Sequence, residues 1–310
     1  MRPFEQRNHI VTWTKRRKRI VRRTVIGMVG LFVIGLIASW GVAGWLVSAQ
    51  QCEIGVPPAD LPARSISLDS DSGAVVAGWH VRADESNGVI VLLHPIRGSR
   101  LTMLDRARLF HAAGYSIVMI DLQAHGESQG QHITIGHLER HDARAAVEFA
   151  RQQHPHESIG VTGVSLGGAS ALLSSPLKID ALVLESVFPN IETAVHNRVA
   201  AQLGPLSTIP AEILLAQLRP RLGIAPSQLR PIDHIHEVGC PICFMSGRDD
   251  LHTTPEETEH MFDLAREPKE IWLVEGAAHV DLYEASPEQY KARVLRFFGQ
   301  HLRRKSDANN

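Results

Sequence analysis

The chain has 310 residues, of which 44% are hydrophobic and 21% are charged, so it holds enough apolar side chains for a large core. Its net charge of −1 hides an asymmetry, because residues 1–23 hold nine basic residues against one acidic residue and leave 23 basic and 32 acidic residues in the rest of the chain. An acidic body of this kind argues against a nucleic-acid partner.

The first predicted element is an apolar segment near the N-terminus. No residue from 24 to 52 is charged, and the stretch 25–47 is long enough to cross a bilayer. The basic cluster before it is expected to stay in the cytoplasm, which places the chain after residue 50 outside the cytoplasm. We therefore predict a basic cytoplasmic N-terminus at 1–23 and a transmembrane signal anchor at 24–50, as in a single-pass protein of a bacterial cell membrane.

A cleaved signal peptide is the alternative to an anchor. Val47, Ser48 and Ala49 provide a small-residue cleavage site for it. The apolar stretch is longer than the core of a usual signal peptide, which favours the uncleaved anchor. Residues 51–63, which include three prolines, are predicted to form a linker to the next domain.

Strand-like and helix-like segments alternate from residue 64 to residue 304, and 305–310 form a short tail. Several strand-like runs are continuously apolar, as in strands that are buried on both faces. The predicted strands are at 66–68, 75–81, 89–94, 117–121, 159–163, 181–185, 242–246 and 271–274. The predicted helices are at 100–113, 135–153, 166–175, 255–267 and 287–303. This alternation predicts an α/β fold with a mostly parallel, eight-stranded sheet flanked by helices.

One long segment breaks the alternation. Residues 186–240 separate two predicted strands and hold helix-like pieces around 191–203 and 211–218, between several prolines. We interpret the segment as a small helical cap over the mouth of a site. A helical insertion that packs elsewhere is the alternative.

The pentapeptide Gly-Val-Ser-Leu-Gly at 163–167 lies between a predicted strand and a predicted helix. This is the context of a nucleophile elbow, in which a sharp turn exposes the serine hydroxyl. The residues two before and two after the serine must be nearly free of side chains, and Gly163 and Gly167 meet that requirement. The pattern predicts that Ser165 is a nucleophile.

A serine nucleophile needs an adjacent base, and the base needs an orienting acid. Asp249 and Asp250 follow one predicted strand, and His279 follows the last predicted strand. Like Ser165, these residues follow the carboxyl ends of predicted strands, which is where open α/β sheets place their sites. The order Ser, Asp, His predicts a catalytic triad in which His279 takes the Ser165 proton and an aspartate orients His279.

These motifs resemble those of a known family. The chain from about 64 to 304 resembles an α/β-hydrolase-fold serine hydrolase, and it is most similar to the group of serine aminopeptidases, monoacylglycerol lipases and membrane-anchored α/β-hydrolase-domain proteins. The matching segments are Leu-Leu-His-Pro-Ile-Arg-Gly at 92–98, Asp-Leu-Gln-Ala-His-Gly-Glu-Ser at 121–128, the elbow, Ser-Gly-Arg-Asp-Asp at 246–250 and Gly-Ala-Ala-His at 276–279.

The resemblance implies which carboxylate completes the triad. In that family the acid lies three residues after the glycine that ends the strand, which selects Asp250 over Asp249. Glu185 ends another predicted strand and is a more distant alternative, because some lipases draw their acid from that strand.

The resemblance also implies an oxyanion hole made by the backbone N–H groups of Leu166 and Ile96. Two residues depart from the family pattern, since Pro95 replaces a glycine and Gln123 replaces an arginine. Because proline has no N–H and a fixed φ, the first departure leaves the shape of the hole open.

Cys240 and Cys243 have the spacing of a redox pair. Their segment is predicted to be a buried strand, in which residues three apart are separated by roughly 10 Å, beyond the roughly 7 Å reach of a disulfide. We predict structural cysteines. The histidine pairs at 137 and 141 and at 234 and 236 lack further metal ligands, so we expect neither a metal nor another cofactor.

The sequence therefore predicts a serine hydrolase that cleaves a carboxylic ester, such as a lipid-derived acyl ester, through an acyl-enzyme. An aminopeptidase-like amidase, a thioesterase and an acyltransferase are alternatives on the same fold. A non-catalytic binding or scaffold protein of the cell envelope is an alternative of a different class. Such domains usually lose a triad member, whereas this chain retains all three.

Overall fold

The structure is a computed structural model that describes residues 4–302, with side chains described from residue 14 onward. The chain divides into two units, one ending at Trp45 and the other beginning at Leu46. The predicted tail at 305–310 and the last two residues of the predicted domain lie outside the described residues.

The first unit is one helix, α1, which spans Phe4–Leu46. Its part Thr14–Leu46 is long and apolar enough to cross a membrane, and its large apolar side chains, such as Leu31 and Ile37, are exposed. The helix continues through the boundary predicted at residue 23, because lysine and arginine are themselves good helix formers. It ends four residues before the predicted end of the anchor at residue 50.

The second unit is built on an eight-stranded sheet, with a separate two-stranded pair. The strands are β1 (Gln50–Gln51), β2 (Ala63–Asp69), β3 (Val75–Val81), β4 (Val89–Leu93), β5 (Ser116–Ile120), β6 (His125–Gly126), β7 (Ile159–Val164), β8 (Ala181–Glu185), β9 (Ile242–Gly247) and β10 (Lys269–Val274). Their order in the large sheet is β10-β9-β8-β7-β4-β5-β3-β2. Neighbours are parallel except at β3, which is antiparallel to both β2 and β5. All eight predicted strands are confirmed.

Both faces of the sheet are covered, as the continuous apolar runs predicted. Along β4, Val89, Val91 and Leu93 belong to one hydrophobic cluster. Ile90 and Leu92, which point to the opposite face, belong to the other cluster. All five side chains are 0% exposed, so the central strand is buried on both sides.

Helices cover the two faces of the sheet. Other helices lie in the segment between β8 and β9. They are α2 (Leu104–Ala112), α3 (Glu139–Gln153), α4 (Leu166–Leu173), α5 (Ile191–Leu203), α6 (Thr208–Ala216), α7 (Leu218–Leu222), α8 (Pro255–Leu264), α9 (Leu282–Ala285) and α10 (Pro287–His301). The helix predicted from residue 135 begins only at Glu139. The reason is that the Glu139 carboxylate accepts the backbone N–H groups of Thr134 and Gly136 and holds 134–138 as a loop.

The segment between β8 and β9 holds α5, α6, α7 and three short 3₁₀ turns. Asn190 begins α5, because its side chain accepts the N–H of Thr193 at 2.8 Å. The 3₁₀ turn Pro231–Glu237 packs against α4. The segment predicted to be a cap therefore contacts the helix that follows the predicted nucleophile.

The last residue of the predicted anchor and the first residues of the predicted linker pair with the domain. Strand β1 is parallel to β6, with the N–H of Gln50 donating to Ala124 O at 2.7 Å and the N–H of Cys52 donating to Gly126 O at 2.9 Å. This pairing explains why α1 stops before residue 50, and it means that the chain is already bonded to the domain where the sequence predicted a linker.

Candidate active site

Ser165 lies in a strained turn between β7 and α4. Its φ of +49° and ψ of −108° are rarely adopted by a residue with a side chain. A Cβ added at Gly167 would lie 2.3 Å from Leu93 O, and a Cβ added at Gly163 would lie 2.5 Å from Gly168 Cα. Only glycine fits at these two positions, which gives the turn the form of a nucleophile elbow.

Two backbone N–H groups near this turn are available to a ligand. Leu166 is the first residue of α4, so its N–H has no acceptor within the helix. Ile96 lies in the loop after β4. Within residues 4–302, neither N–H donates a hydrogen bond to a protein acceptor. These are the two donors that the family resemblance implied.

His279 and Asp250 are hydrogen-bonded at the same edge of the sheet. Asp250 follows β9, His279 follows β10, and the two strands pair in parallel. The Nδ1 of His279 donates to Oδ2 of Asp250 at 2.7 Å. Among the described residues, no hydrogen bond joins His279 to Ser165, and in unliganded hydrolases such bonds often form only with substrate.

Further hydrogen bonds keep Asp250 charged. Its Oδ1 accepts the N–H groups of His252 at 2.7 Å and Thr253 at 2.9 Å. Burial acts to raise the pKa of Asp250, but the bonds from His279 and these N–H groups hold that pKa below its ordinary value. Asp249 is exposed, and its side chain does not contact His279. The geometry therefore selects Asp250 of the two aspartates.

Glu185, the other alternative acid, belongs to a buried network. Its carboxylate accepts from Arg106 at 2.6 and 3.1 Å and from the Tyr290 hydroxyl at 2.5 Å. Arg106 also donates to both carboxylate oxygens of Asp281, at 2.8 and 3.0 Å. Because Asp281 lies two residues after His279, this network supports the His279 loop rather than the imidazole itself.

A buried histidine starts the loop that holds Ile96. The Nδ1–H of His94 donates to Pro95 O at 2.7 Å, and its Nε2 accepts the N–H of Leu122 at 2.9 Å. Accepting an N–H at Nε2 requires a neutral ring. Burial and the nearby His125 lower the pKa of His94 to about 3, in agreement with this tautomer.

His125 contacts the same loop from the other side. Its Nδ1–H donates to Gln123 O at 2.9 Å, and its Nε2 accepts the N–H of Arg97 at 3.1 Å. Burial lowers the pKa of His125, so this ring is neutral too. With the Arg97 N–H occupied and no N–H on Pro95, Ile96 supplies the free donor between them. His125 had no predicted role, and its place in the motif at 121–128 was the signal in the sequence that could have found it.

In the segment predicted to be a cap, helix α5 contacts the loop after β9, which holds Asp250. The amide of Asn197 donates to both carboxylate oxygens of Glu257 at 3.0 Å and to His252 O at 3.4 Å. The guanidinium of Arg198 lies 3.5 Å from the same carbonyl. The ring of His252 is centred 5.1 Å from the ring of His279. One face of α5 thus lies next to the candidate triad.

The two cysteines of the C-x-x-C spacing are free, as predicted. Burial raises the pKa of both Cys240 and Cys243 to about 12, so neither thiol is reactive at neutral pH. Within the described part of the chain, no group of three or more His, Cys, Asp or Glu is suited to hold a metal ion.

Comparisons of sequence find a family model that matches part of this chain, and relatives without assigned activity. The sequence model of the serine aminopeptidase family S33 matches residues 84–232. The uncharacterized protein YqkD of Bacillus subtilis is 24% identical over 235 residues, covering 74% of this chain and 77% of YqkD. The uncharacterized protein YfhR of Escherichia coli is 22% identical over 256 residues, covering 77% of this chain and 82% of YfhR.

Comparison of structures confirms the fold class. The esterase Pf2001 of Pyrococcus furiosus superposes with a TM-score of 0.68 and 22% identity, covering 82% of this chain and 99% of that esterase. The α/β-hydrolase fold predicted from the sequence is therefore the fold of this chain.

Proposed function

We propose that this chain, a serine hydrolase of the α/β-hydrolase fold, cleaves carboxylic esters through an acyl-enzyme on Ser165. His279 is the general base and acid, and Asp250 orients it. The observation that carries the proposal is the 2.7 Å bond from His279 Nδ1 to Asp250 Oδ2, at the sheet edge where the strained Ser165 lies. With its proton on Nδ1, His279 has Nε2 free to accept one.

In the first half of the reaction, Ser165 Oγ attacks the carbonyl carbon and its proton passes to His279 Nε2. The carbonyl π electrons move to the oxygen and form a tetrahedral oxyanion. As the oxyanion collapses, the bond to the alkoxy oxygen breaks and His279 gives its proton to that oxygen. An alcohol leaves, and Ser165 holds the acyl group as an ester.

In the second half, His279 removes a proton from water, and the resulting hydroxide attacks the acyl carbon. Collapse of the second tetrahedral oxyanion breaks the bond to Ser165 Oγ, which recovers its proton from His279. Throughout, the charged carboxylate of Asp250 stabilises the imidazolium that forms twice per turnover. The products are a carboxylic acid and the free enzyme.

The oxyanion is stabilised by the backbone N–H groups of Leu166 and Ile96. Both groups are free of protein acceptors in the described chain. Each such donor is worth about 100-fold to 1,000-fold in kcat. Pro95 removes neither donor, because the second donor is the N–H of Ile96, which follows Pro95.

Apolar side chains beside the site favour an acyl substrate. Ile96, Leu251 and Val280 are 37%, 68% and 51% exposed, and the last two directly follow Asp250 and His279. Exposed apolar groups of this kind suit a hydrocarbon chain next to the reacting carbonyl. Together with the membrane-length helix α1, they support a lipid-derived acyl ester as the substrate.

An amidase is the second candidate, and the match of residues 84–232 to the serine aminopeptidase family favours it. An amide nitrogen that is not protonated is a much poorer leaving group than an alkoxide, so an amidase depends more on proton transfer from His279 to the leaving nitrogen. Comparing kcat/KM for a p-nitrophenyl ester and for the p-nitroanilide with the same acyl group distinguishes an esterase from an amidase. Thioester substrates and added alcohol acceptors test for a thioesterase and an acyltransferase.

We also propose that α1 anchors the chain in a membrane with the basic N-terminus in the cytoplasm and the hydrolase domain outside it. The length and apolar character of Thr14–Leu46 support an anchor. The excess of basic residues at 1–23 supports the orientation.

Labelling with a fluorophosphonate tests the proposed nucleophile. Membranes holding the wild-type chain should be labelled at Ser165, and Ser165→Ala should abolish the label. Ser227→Ala, which changes an exposed serine of the segment between β8 and β9, is the matched control and should keep it. Absence of label on folded wild-type protein would instead favour a non-catalytic binding protein.

A further inference from the structure

The chain that follows α1 is hydrogen-bonded along a loop of the hydrolase domain. We name residues 47–55 the strap and residues 121–133 the buttress loop. Four of the hydrogen bonds between them are Ile133 N–H to Val47 O at 2.9 Å, Gln50 N–H to Ala124 O at 2.7 Å, Gln51 Nε2 to Ser128 O at 2.8 Å, and Cys52 N–H to Gly126 O at 2.9 Å. The strap thus adds a short parallel strand to the buttress loop.

The buttress loop is strained where the strap pairs with it. Ala124 has a φ of +60°, which a residue with a side chain rarely adopts, whereas the φ of +49° at Gly126 is one that glycine adopts without strain. A Cβ at Gly126 would lie 2.2 Å from the carboxylate of Asp121, so the loop is folded tightly on that side chain. Strained backbone of this kind persists only where its surroundings hold it. The Gln50 N–H binds the carbonyl of the strained Ala124 itself and supplies part of that restraint.

His125 connects the buttress loop to residues 94–99, the loop that holds Ile96, which we name the oxyanion loop. It lies between Ala124 and Gly126, whose carbonyl groups accept backbone N–H groups of the strap. Its Nε2 accepts the N–H of Arg97 at 3.1 Å. Arg97 also has a strained φ of +60°, and it directly follows the proposed donor Ile96. The position of the Ile96 N–H therefore depends on His125.

Glu127 makes a second connection between the strap and the same loop. One carboxylate oxygen accepts the N–H groups of Ile54 and Gly55 at 3.1 and 3.4 Å. The other oxygen pairs with Arg100, which begins the 3₁₀ turn after the oxyanion loop and donates to Asp121 at 2.9 Å. The strap is therefore connected to the oxyanion loop at two places. His125 contacts Arg97, next to Ile96, and Glu127 contacts Arg100, just after the end of the loop.

We propose that the strap positions the oxyanion hole of this enzyme, acting through His125 and Glu127. The strap residues, His125 and Glu127 are positioning residues, because their proposed effect passes through the loop that holds Ile96. This inference rests on the proposed function. It assigns a positioning role to residues 47–55, which the sequence predicts to be the end of the anchor and the start of the linker.

Proline at residue 50 tests the strap in the full-length chain. Gln50→Pro removes the N–H that donates to Ala124, whereas Gln50→Ala keeps that N–H and removes the same side chain. Because a misplacement of about 1 Å can cost ~100-fold in rate, we expect kcat at least tenfold lower in Gln50→Pro than in Gln50→Ala. Val56→Ala, which changes a residue 87% exposed and outside the strap, should resemble wild type.

Substitution of His125 tests the connection itself. Leucine cannot accept the Arg97 N–H, whereas the side-chain oxygen of glutamine lies near the place of Nε2 and can accept it. We expect His125→Leu to lower kcat about 10-fold to 100-fold and His125→Gln to recover part of the loss. KM for a p-nitrophenyl ester should change little in either variant.

Active-site titration separates positioning from folding. The burst of p-nitrophenol counts competent sites, and kcat is then expressed per titrated site. Equal kcat per site for Gln50→Pro and Gln50→Ala would overturn the role of the strap. A His125→Leu enzyme with fewer sites but normal kcat per site would overturn the role of His125. Failure of the proposed function looks different, because wild type itself would give no burst and no fluorophosphonate label.

Discussion

Asp250 and Asp249 are adjacent and chemically identical, yet their surroundings give them different roles. Asp250 is 1% exposed and bonded to His279 and to two backbone N–H groups, whereas Asp249 is exposed. A carboxylate that is bonded in this way stays charged and holds the imidazole in one tautomer. Hydrogen bonding, rather than residue type, therefore decides which aspartate serves His279.

Replacing each aspartate by asparagine should separate the two. Asp250→Asn replaces the carboxylate that fixes the His279 tautomer, and we expect kcat for ester hydrolysis to fall about 1,000-fold to 10,000-fold. Asp249→Asn should leave kcat near the wild-type value. Steady-state kinetics on one p-nitrophenyl ester measures both, and a comparable loss in Asp249→Asn would contradict the assignment.

Alanine at Gly167 should disturb the elbow through sterics alone. The added Cβ would lie 2.3 Å from Leu93 O, and backbone must move to relieve the clash. We expect Gly167→Ala to lower the free energy of unfolding by about 1–3 kcal/mol. Gly239→Ala is the matched control, since nothing lies within 4 Å of its Cβ position, and it should change stability by less than about 0.5 kcal/mol. Urea unfolding of both variants decides whether the clash matters.

Two elements meet at a pair of buried histidines. His80 on β3 and His154 at the end of α3 are 1% and 3% exposed, and their Nε2 atoms lie 2.9 Å apart. Burial and the charges of His154, Arg64 and Arg82 lower the pKa of His80 to about 4, and Glu157 only partly opposes them. This contact between sheet and helix therefore requires an uncharged His80.

Acid should weaken this contact over a defined pH range. An unfolded histidine takes up a proton as the pH falls below about 6.5, whereas folded His80 does so only near 4. The unfolded state binds more protons between these values, so stability is lost as the pH falls. Between pH 7 and pH 5 the contribution of His80 is about 2 kcal/mol.

His80→Gln isolates that contribution, because the other titrating groups are unchanged. The free energy of unfolding should fall less steeply from pH 7 to pH 5 in this variant than in wild type, as measured by urea titrations at each pH. Parallel pH profiles of the two proteins would show that His80 does not carry the effect.

The elements differ in how far the sequence predicts them. Strands β3 and β8 were predicted to the residue, because apolar runs and turn residues are local signals. The triad order was predictable for the same reason, since each member follows a predicted strand. Strand β1 was not predicted, because Gln50 and Gln51 have no apolar pattern and pair through main-chain atoms with residues 75 positions later. The contact of His125 with Arg97 likewise depends on tertiary structure.

At the scale of the whole molecule, the charges are divided between the two units. The N-terminal segment holds nine basic residues against one acidic residue, and the rest of the chain is acidic. With a membrane-length apolar helix after the basic cluster, this division gives the proposed orientation its physical basis. The orientation is testable with a residue already in the chain.

Cys52 is a natural reporter of that orientation. It is exposed, whereas Cys243 is buried, Cys240 is half-buried, and both of these thiols have a pKa of about 12. In intact cells or spheroplasts, a membrane-impermeant maleimide should label the wild-type chain, and Cys52→Ser should remove the label. Labelling that appears only after lysis would place the hydrolase domain in the cytoplasm.

The strap also bears on where the enzyme works. A protease that cut after Ala49 would separate Val47 from Ile133 and leave Gln50 as a charged amine beside the Ala124 carbonyl. The fold would survive, but the oxyanion loop would lose part of its support. A molecule shed into the medium would then be a poorer catalyst than one that kept its anchor, and ester hydrolysis would stay confined to the membrane surface.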